Sequence, residues 1–203
     1  GIATFILKYR TPQSKSVNIS HIAPVQDAQR AIRIIRKNAK KWNIDEQKIG
    51  VIGYSAGGHL ASTIGTQFDL ELSEKKDSVD HMNARPNFMA LIYPVISMNK
   101  DIYHSGSAKN LLGSKPSNNL FEKYSSELNI DHNTPPTFIV HSNDDKAVSV
   151  QNSLIFHKYL NQFNIKNEMH IYQEGGHGYG LAINKGTLGK WPELFYEWLM
   201  LLD

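Results

Sequence analysis

The chain has 203 residues, of which 40% are hydrophobic and 20% charged, and its formal net charge is +3. This length and apolar content allow one sizeable core, so a single soluble domain is expected. The absence of cysteine excludes disulfides, thiolate metal sites and a cysteine nucleophile. No apolar run approaches the roughly 18 residues of a membrane-spanning helix, so that class of protein is excluded as well.

Strand-like and helix-like patterns alternate along the chain. Residues 4–9 are apolar, aromatic and β-branched, and Thr11-Pro12 ends the run, which predicts a strand. Pro24 and Asp27 open a helix whose apolar residues recur every three or four positions. Further strands are predicted at 48–53, 87–93, 137–141 and 168–172, and further helices at 56–66, 150–163 and 191–201. This alternation predicts an α/β fold with a mostly parallel sheet and helices on both faces.

Two segments depart from this alternation. The chain opens at Gly1 directly in the predicted strand 4–9, so further strands are expected to precede Gly1 and the single domain 1–203 is expected to be N-terminally incomplete. Residues 97–135 are rich in Ser, Asn, Lys and Pro, with short helical patterns only at 108–112 and 120–128. They are predicted to form a polar, cap-like insertion rather than part of the core.

Basic residues fill much of the first predicted helix. They are Arg30, Arg33, Arg36, Lys37, Lys40 and Lys41. An anionic partner is one interpretation. A solvated outer face is favoured, with the last cations stabilised near a helix C-terminus by the macrodipole.

A G-x-S-x-G pattern lies between a predicted strand and a predicted helix. The residues are Gly53-Tyr54-Ser55-Ala56-Gly57-Gly58-His59. In such an elbow the serine occupies a strained turn, and Gly53 and Gly57 leave room for neighbouring strand and helix. Ser55 is the predicted nucleophile, and the backbone N–H of Ala56 is the predicted oxyanion donor. The alternative is a glycine-rich turn with an incidental serine.

A serine nucleophile requires a base, and the base requires an orienting acid. In this fold both follow later strands, in the order serine, acid, histidine. Asp144 and Asp145 follow the strand at 137–141, and His177 follows the strand at 168–172 in the sequence Gly175-Gly176-His177-Gly178. His177 is therefore the predicted base, and either aspartate can supply the acid.

Three other histidines lie in predicted strands or in the helix after the elbow, and they are assigned to packing or local hydrogen bonding. They are His59, His141 and His170. No His-Glu-x-x-His motif, G-x-G-x-x-G motif after a strand, or basic-aromatic stripe occurs. No metal, cofactor or nucleic-acid partner is therefore expected.

The chain resembles the α/β-hydrolase esterases that include bacterial acetylxylan esterases and other carbohydrate esterases. The resemblance rests on Phe5-Ile6-Leu7-Lys8-Tyr9-Arg10 with Pro12, Pro24 and Asp27, on Gly53-Tyr54-Ser55-Ala56-Gly57-Gly58-His59-Leu60, on Thr134-Pro135-Pro136-Thr137-Phe138, and on Gly175-Gly176-His177-Gly178. These families and their prolyl-oligopeptidase-like relatives carry the acid in an H-G-x-x-D-x-x-V pattern. His141 and Val148 frame that pattern here, which places the acid on Asp145, although Ser142 replaces the glycine.

The resemblance implies a serine carboxylic-ester hydrolase that works through an acyl-enzyme and needs no cofactor. It also implies a glycine-rich loop upstream of Gly1 that supplies further oxyanion donors. The implied substrate is a small-molecule or oligosaccharide ester, preferably an acetylated carbohydrate, with a feruloyl or short-chain lipid ester as the alternative substrates. Neither nucleic acid nor membrane is an implied partner. Residues 97–135 could cover the serine and contact a sugar through Tyr103, His104, Tyr124 and His132. The alternatives are a prolyl-oligopeptidase-type peptidase and a non-catalytic, hydrolase-like binding protein.

Overall fold

A computed structural model describes residues 1–11, 21–72, 74 and 76–202. Within these residues the strands β1 Val51–Tyr54, β2 Met89–Ile92, β3 Thr137–Ser142 and β4 Asn167–Tyr172 form one sheet in the order β1-β2-β3-β4. All neighbouring strands pair in parallel. The α-helices are α1 Ala23–Lys37, α2 Ala56–Thr66, α3 Ser105–Leu112, α4 Asn118–Tyr124, α5 Gln151–Gln162 and α6 Trp191–Met200, with 3-10 turns at Ser126–Asn129 and Leu188–Lys190.

Helices cover both faces of the sheet, because successive side chains of a strand point to opposite faces. On β2, Ala90 and Ile92 belong to the cluster that packs around Trp191 and Trp198 of α6. Met89 and Leu91 face the opposite way and pack with α5 residues Phe156 and Leu160, and with Ala61 of α2. A third cluster joins α1 to α2. The predicted α/β class and parallel sheet are confirmed.

Residues 4–9 do not form the predicted strand. They pair with no strand in the described part of the chain, where β1 pairs only with β2. A strand is stabilised by hydrogen bonds to a neighbour, and the apolar sequence alone does not provide one. Ile6 is 99% exposed, while Phe5 packs against Trp42 with their ring centroids 5.3 Å apart. Pro12, which follows the predicted strand, lies outside the described residues.

The segment 97–135 contributes to the core, in contrast to the prediction of a separate insertion. Met98, Ala108, Leu112 and Tyr124 are buried in the cluster that also holds α1 and α2. The segment therefore rests on the helix that follows Ser55. Its few apolar residues are spread among many polar ones, which hides their shared face in the sequence.

The basic helix α1 is bound to neighbouring chain segments. Arg30 forms ion pairs with Asp77 and Asp80 at 2.7 and 2.8 Å. Arg36 is buried, in contrast to the predicted solvated face, and donates to backbone carbonyl oxygens including that of Arg85. These contacts favour an intramolecular role for the basic residues over an anionic partner.

Among the described residues, no helix has the length and hydropathy needed to cross a bilayer.

Candidate active site

Ser55 lies in a strained turn between β1 and α2. Its φ and ψ are 53° and −118°, a conformation that costs a non-glycine residue about 1–3 kcal/mol. The turn is held because the Ser55 N–H donates to the Ile92 carbonyl at 3.0 Å. The Ser55 carbonyl accepts from the amides of Val95 at 3.1 Å and His59 at 3.2 Å. The hydroxyl is thereby fixed at the carboxyl end of the sheet.

Close backbone approach around Ser55 depends on Gly53 and Gly58. A Cβ on Gly53 would lie 2.2 Å from the Gly57 carbonyl oxygen, and one on Gly58 would lie 2.7 Å from Cβ of Pro94. The sequence pattern assigns the second close approach to Gly57. However, a Cβ on Gly57 would meet no described atom within 4 Å, so Gly58 is the residue that lets α2 approach the chain after β2.

His177 contacts Ser55 from the loop after β4. Its Nε2 lies 2.8 Å from the Ser55 Oγ, although the two residues are 122 positions apart. The imidazole packs against the ring of Tyr93, with ring centroids 4.8 Å apart. The Tyr93 hydroxyl accepts from the Gly180 amide at 3.1 Å, which ties the loop after His177 to the end of β2. Contacts with Tyr93, at the end of β2, therefore hold both the His177 ring and the loop that follows it.

Asp145 contacts the opposite nitrogen of His177. The distance from His177 Nδ1 to Asp145 Oδ2 is 2.6 Å, and the aspartate side chain has 0% exposure. Oδ1 accepts from the amides of Ala147 and Val148, each at 2.9 Å. Burial alone would raise the pKa of Asp145, but the hydrogen bonds from His177 and these amides outweigh it and hold the pKa below its ordinary value.

The neighbouring Asp144 points to a different partner. Its Oδ1 accepts from the amides of Gly175 and Gly176 at 2.9 and 2.8 Å. Ser142 also holds this loop, because its hydroxyl donates to the Gly176 carbonyl at 2.7 Å. Of the adjacent aspartates, Asp145 is the one that contacts the imidazole, and Asp144 shapes the loop that carries it.

These contacts determine what the imidazole can do. An ionised Asp145 can only accept, so the Nδ1 of His177 carries the proton. Nε2 then presents a lone pair to the Ser55 hydroxyl. This is the tautomer in which an imidazole can remove a proton from a serine.

Ala56 begins α2 beside a cavity of about 180 Å³. As the first helical residue, its N–H has no acceptor within the helix, and the positive end of the helix dipole lies there. The cavity lies between α1, α2 and α3, and its lining includes Val25, His59, Leu60, Met98, Leu111 and Tyr124. A predominantly apolar space therefore opens next to the predicted oxyanion donor.

The residues proposed from sequence to contact a sugar have other partners. Tyr124 lines the cavity, but its hydroxyl donates to the His21 carbonyl at 2.9 Å. His104 caps α3 by accepting from the Ser107 amide. Tyr103 packs against the core cluster of α1 and α2, and the His132 ring packs edge-on against that of Phe163. Only Tyr124 among these four adjoins the cavity beside Ala56.

The sequence patterns do not indicate the site contacts of Tyr93 and His141. They place Tyr93 in a strand and assign His141 to packing or local hydrogen bonding. Nε2 of His141 lies 3.2 Å from Asp145 Oδ2. Each residue lies at the end of a strand, next to the loops that bear Ser55 and Asp145, and this position is the feature of the sequence that could have indicated the contacts.

Among the described residues, no group of three or more His, Asp or Glu side chains could hold a metal ion.

The parallel sheet with helices on both faces and the elbow at Ser55 define an α/β-hydrolase fold. A family model described as BD-FAE matches residues 1–160, a range that includes Ser55 and Asp145. The chain belongs to the BD-FAE family.

Three relatives illustrate the similarity. An acetylxylan esterase of Xylanibacter ruminicola is 36% identical over 186 residues, covering 90% of this chain and 35% of that protein. An endo-1,4-beta-xylanase B of Butyrivibrio fibrisolvens is 35% identical over 182 residues, covering 90% of this chain and 28% of that protein. The chain thus spans about a third of these curated relatives. The crystal structure of an acetyl ester-xyloside bifunctional hydrolase from Caldicellulosiruptor lactoaceticus is 42% identical, with a TM-score of 0.88 over 96% of this chain and 70% of that one.

The glycine contacts give a test of how the elbow is packed. We expect Gly58→Ala to lower the free energy of unfolding by about 1–3 kcal/mol, because the new methyl group overlaps Pro94. Gly57→Ala is the matched control and is expected to be neutral or stabilising by up to about 1 kcal/mol, since alanine favours a helix. Urea unfolding of both variants measures the difference. Equal stability of Gly58→Ala and the unsubstituted protein would contradict the packing described.

Proposed function

We propose that this chain carries the active site of a serine hydrolase that cleaves carboxylic esters of carbohydrates, acetyl or similar short acyl groups among them. The observation that carries the proposal is the continuous contact from Ser55 Oγ through His177 to Asp145, at 2.8 and 2.6 Å. An alcohol, a correctly oriented imidazole and a buried carboxylate in this arrangement generate a nucleophile at neutral pH.

In the first step, Ser55 Oγ attacks the ester carbonyl carbon while Nε2 of His177 takes the hydroxyl proton. The carbonyl oxygen becomes an oxyanion, which the Ala56 N–H and the positive end of α2 stabilise. The ionised Asp145 stabilises the imidazolium. The tetrahedral intermediate then collapses, the bond to the alcohol breaks, and His177 gives its proton to the departing alkoxide.

In the second step, water takes the place of the alcohol. His177 removes a proton from the water as its oxygen attacks the acyl-enzyme carbonyl. Collapse of the second tetrahedral intermediate breaks the bond to Ser55, and His177 returns the proton to the Ser55 oxygen. The products are a carboxylic acid and an alcohol, and the enzyme returns to its starting state.

The carbohydrate assignment is supported by the relatives, since one is an acetylxylan esterase and another an acetyl ester-xyloside hydrolase. The similarity to these two proteins favours an ester hydrolase over a prolyl-oligopeptidase-type peptidase. The contacts of Ser55 with His177 favour an enzyme over a non-catalytic binding protein.

The short acyl group is supported by the cavity beside Ala56. Its volume of about 180 Å³ is close to that of an engineered cavity of about 150 Å³ that holds benzene. Such a space accommodates an acetyl or butyryl chain, and a long fatty acyl chain would extend beyond it. Its apolar lining suits a methyl or methylene group.

Replacing the nucleophile tests the reaction class. In the full-length protein, Ser55→Ala is expected to lower kcat for an aryl acetate by about a thousandfold or more, because Ser55 supplies the oxygen that forms the acyl-enzyme. Ser114→Ala removes a hydroxyl from an exposed position and serves as the matched control. A fluorophosphonate probe should label the unsubstituted protein and Ser114→Ala but not Ser55→Ala. Activity of Ser55→Ala at a tenth of the unsubstituted level would refute the assignment.

The adjacent aspartates provide a matched pair for the acid. Asp145→Asn is expected to lower kcat by about a thousandfold or more, because an amide favours the wrong tautomer of His177. Asp144→Asn retains an oxygen that can accept from Gly175 and Gly176, so its kcat should stay within about tenfold of the unsubstituted protein. Steady-state hydrolysis of an aryl acetate compares them. The opposite order of losses would transfer the acid role to Asp144.

The cavity predicts a preference for short acyl chains. For p-nitrophenyl esters, kcat/KM for octanoate is expected to be at least about tenfold below that for acetate, since the longer chain exceeds the space beside Ala56. Leu111→Ala enlarges the cavity and should raise the ratio of hexanoate to acetate turnover. Equal kcat/KM for acetate and octanoate would exclude this cavity as the acyl site.

A further inference from the structure

A second histidine contacts the Asp145 carboxylate from the protein interior. The side chain of His141, on β3, has 0% exposure. Its Nε2 lies 3.2 Å from Asp145 Oδ2 and 3.0 Å from the Val148 carbonyl oxygen. Its Nδ1 lies 2.7 Å from the hydroxyl oxygen of Ser153, on α5. Every polar atom of this buried ring therefore has a partner.

These partners determine the tautomer of His141. The ionised Asp145 and the Val148 carbonyl can only accept, so Nε2 carries the proton and the Ser153 hydroxyl donates to Nδ1. Burial lowers the pKa of His141, against the opposing effect of Asp145, which leaves the ring neutral at neutral pH. The titratable groups that act on the ring are Asp145 and His177.

We propose that His141 is a positioning residue for the ester hydrolysis: its Nε2–H holds Oδ2 of Asp145 toward His177 and weakens that oxygen as an acceptor. This inference rests on the proposed function. Oδ2 is shared between two imidazoles, because it lies 2.6 Å from His177 Nδ1 and 3.2 Å from His141 Nε2. His141 thus acts through Asp145 and does not touch the reacting atoms.

The shared oxygen has a consequence for the pH range of the reaction. A carboxylate oxygen that already accepts from His141 attracts the imidazolium form of His177 less strongly. Without the His141 N–H, Oδ2 binds the imidazolium more strongly, so the acidic limb of the activity profile is expected to depend on His141.

The test is the pH profile of kcat/KM for an aryl acetate, measured with the full-length protein. His141→Leu removes the donor in a side chain of similar size. We expect the midpoint of the acidic limb to rise by about 0.5–1 pH unit and kcat on the plateau to fall about tenfold. His141→Gln can place an amide N–H near the former Nε2 position. It should move the midpoint at least halfway back.

A control separates positioning from simple stabilisation. Phe156→Leu reduces buried volume in the core between α5 and the sheet and should lower Tm without moving the acidic limb. If His141→Leu behaves in the same way, with a lower Tm and an unchanged limb, the proposal is overturned. A midpoint that His141→Gln fails to restore would also overturn it, because the donor would then not be the cause.

Two further measurements keep the outcomes distinct. Fluorophosphonate labelling of Ser55 that persists in the His141 variants leaves the proposed function intact whatever the pH profile shows, whereas an unlabelled native protein contradicts the proposed function itself. If His141→Leu does not fold, imidazole ¹⁵N NMR of the native protein provides the test. We expect a neutral His141 protonated at Nε2 at neutral pH. An Nδ1–H tautomer or a charged ring at that pH would overturn the proposal.

Discussion

The buried carboxylate of Asp145 is the constraint on which the rest of the site depends. A carboxylate with an unexposed side chain is unfavourable unless hydrogen bonds replace its lost water. The amides of Ala147 and Val148 satisfy one oxygen, and imidazole nitrogens approach the other. Because these bonds keep Asp145 ionised, they also decide which nitrogen of His177 carries a proton. Because Nδ1 of His177 carries the proton, the Ser55 hydroxyl donates its hydrogen bond to Nε2.

The parallel sheet brings the groups to this carboxylate. Ser55 follows β1, Asp145 follows β3 and His177 follows β4, and the carboxyl ends of parallel strands lie at one edge. The intervening strand β2 ends at Tyr93, whose ring packs against His177 and whose hydroxyl holds Gly180. The strands thus set the separation of the groups, while hydrogen bonds within the loops set their direction. Asp144 illustrates the second effect, because it fixes the loop of His177 without contacting the ring.

An element could be predicted from the sequence where the residues that stabilise it are close together in the chain. The helix predicted at 56–66 is α2, Ala56–Thr66, because the elbow before it and its apolar run are both encoded nearby. The four later predicted strands coincide with β1 to β4 within a few residues at their ends. Residues 4–9 carry an equally strong strand pattern, but a strand also needs a neighbour to pair with. Residues 97–135 look like a surface insertion, since the burial of Met98 and Tyr124 depends on α1 and α2.

The sequence by itself determined the α/β class, the elbow around Ser55, and the order in which serine, acid and histidine follow successive strands. These features follow from turn chemistry and hydrophobic periodicity, which act over a few neighbouring residues. The family resemblance places the acid on Asp145, and only the tertiary structure decided that Asp144 binds the glycine loop, that Gly58 provides the close approach to Pro94, and that His141 shares the carboxylate. In these cases the direction of a side chain and its hydrogen-bond partner depend on packing between segments far apart in the chain. The residues next to each side chain in sequence do not show which distant segment lies beside it.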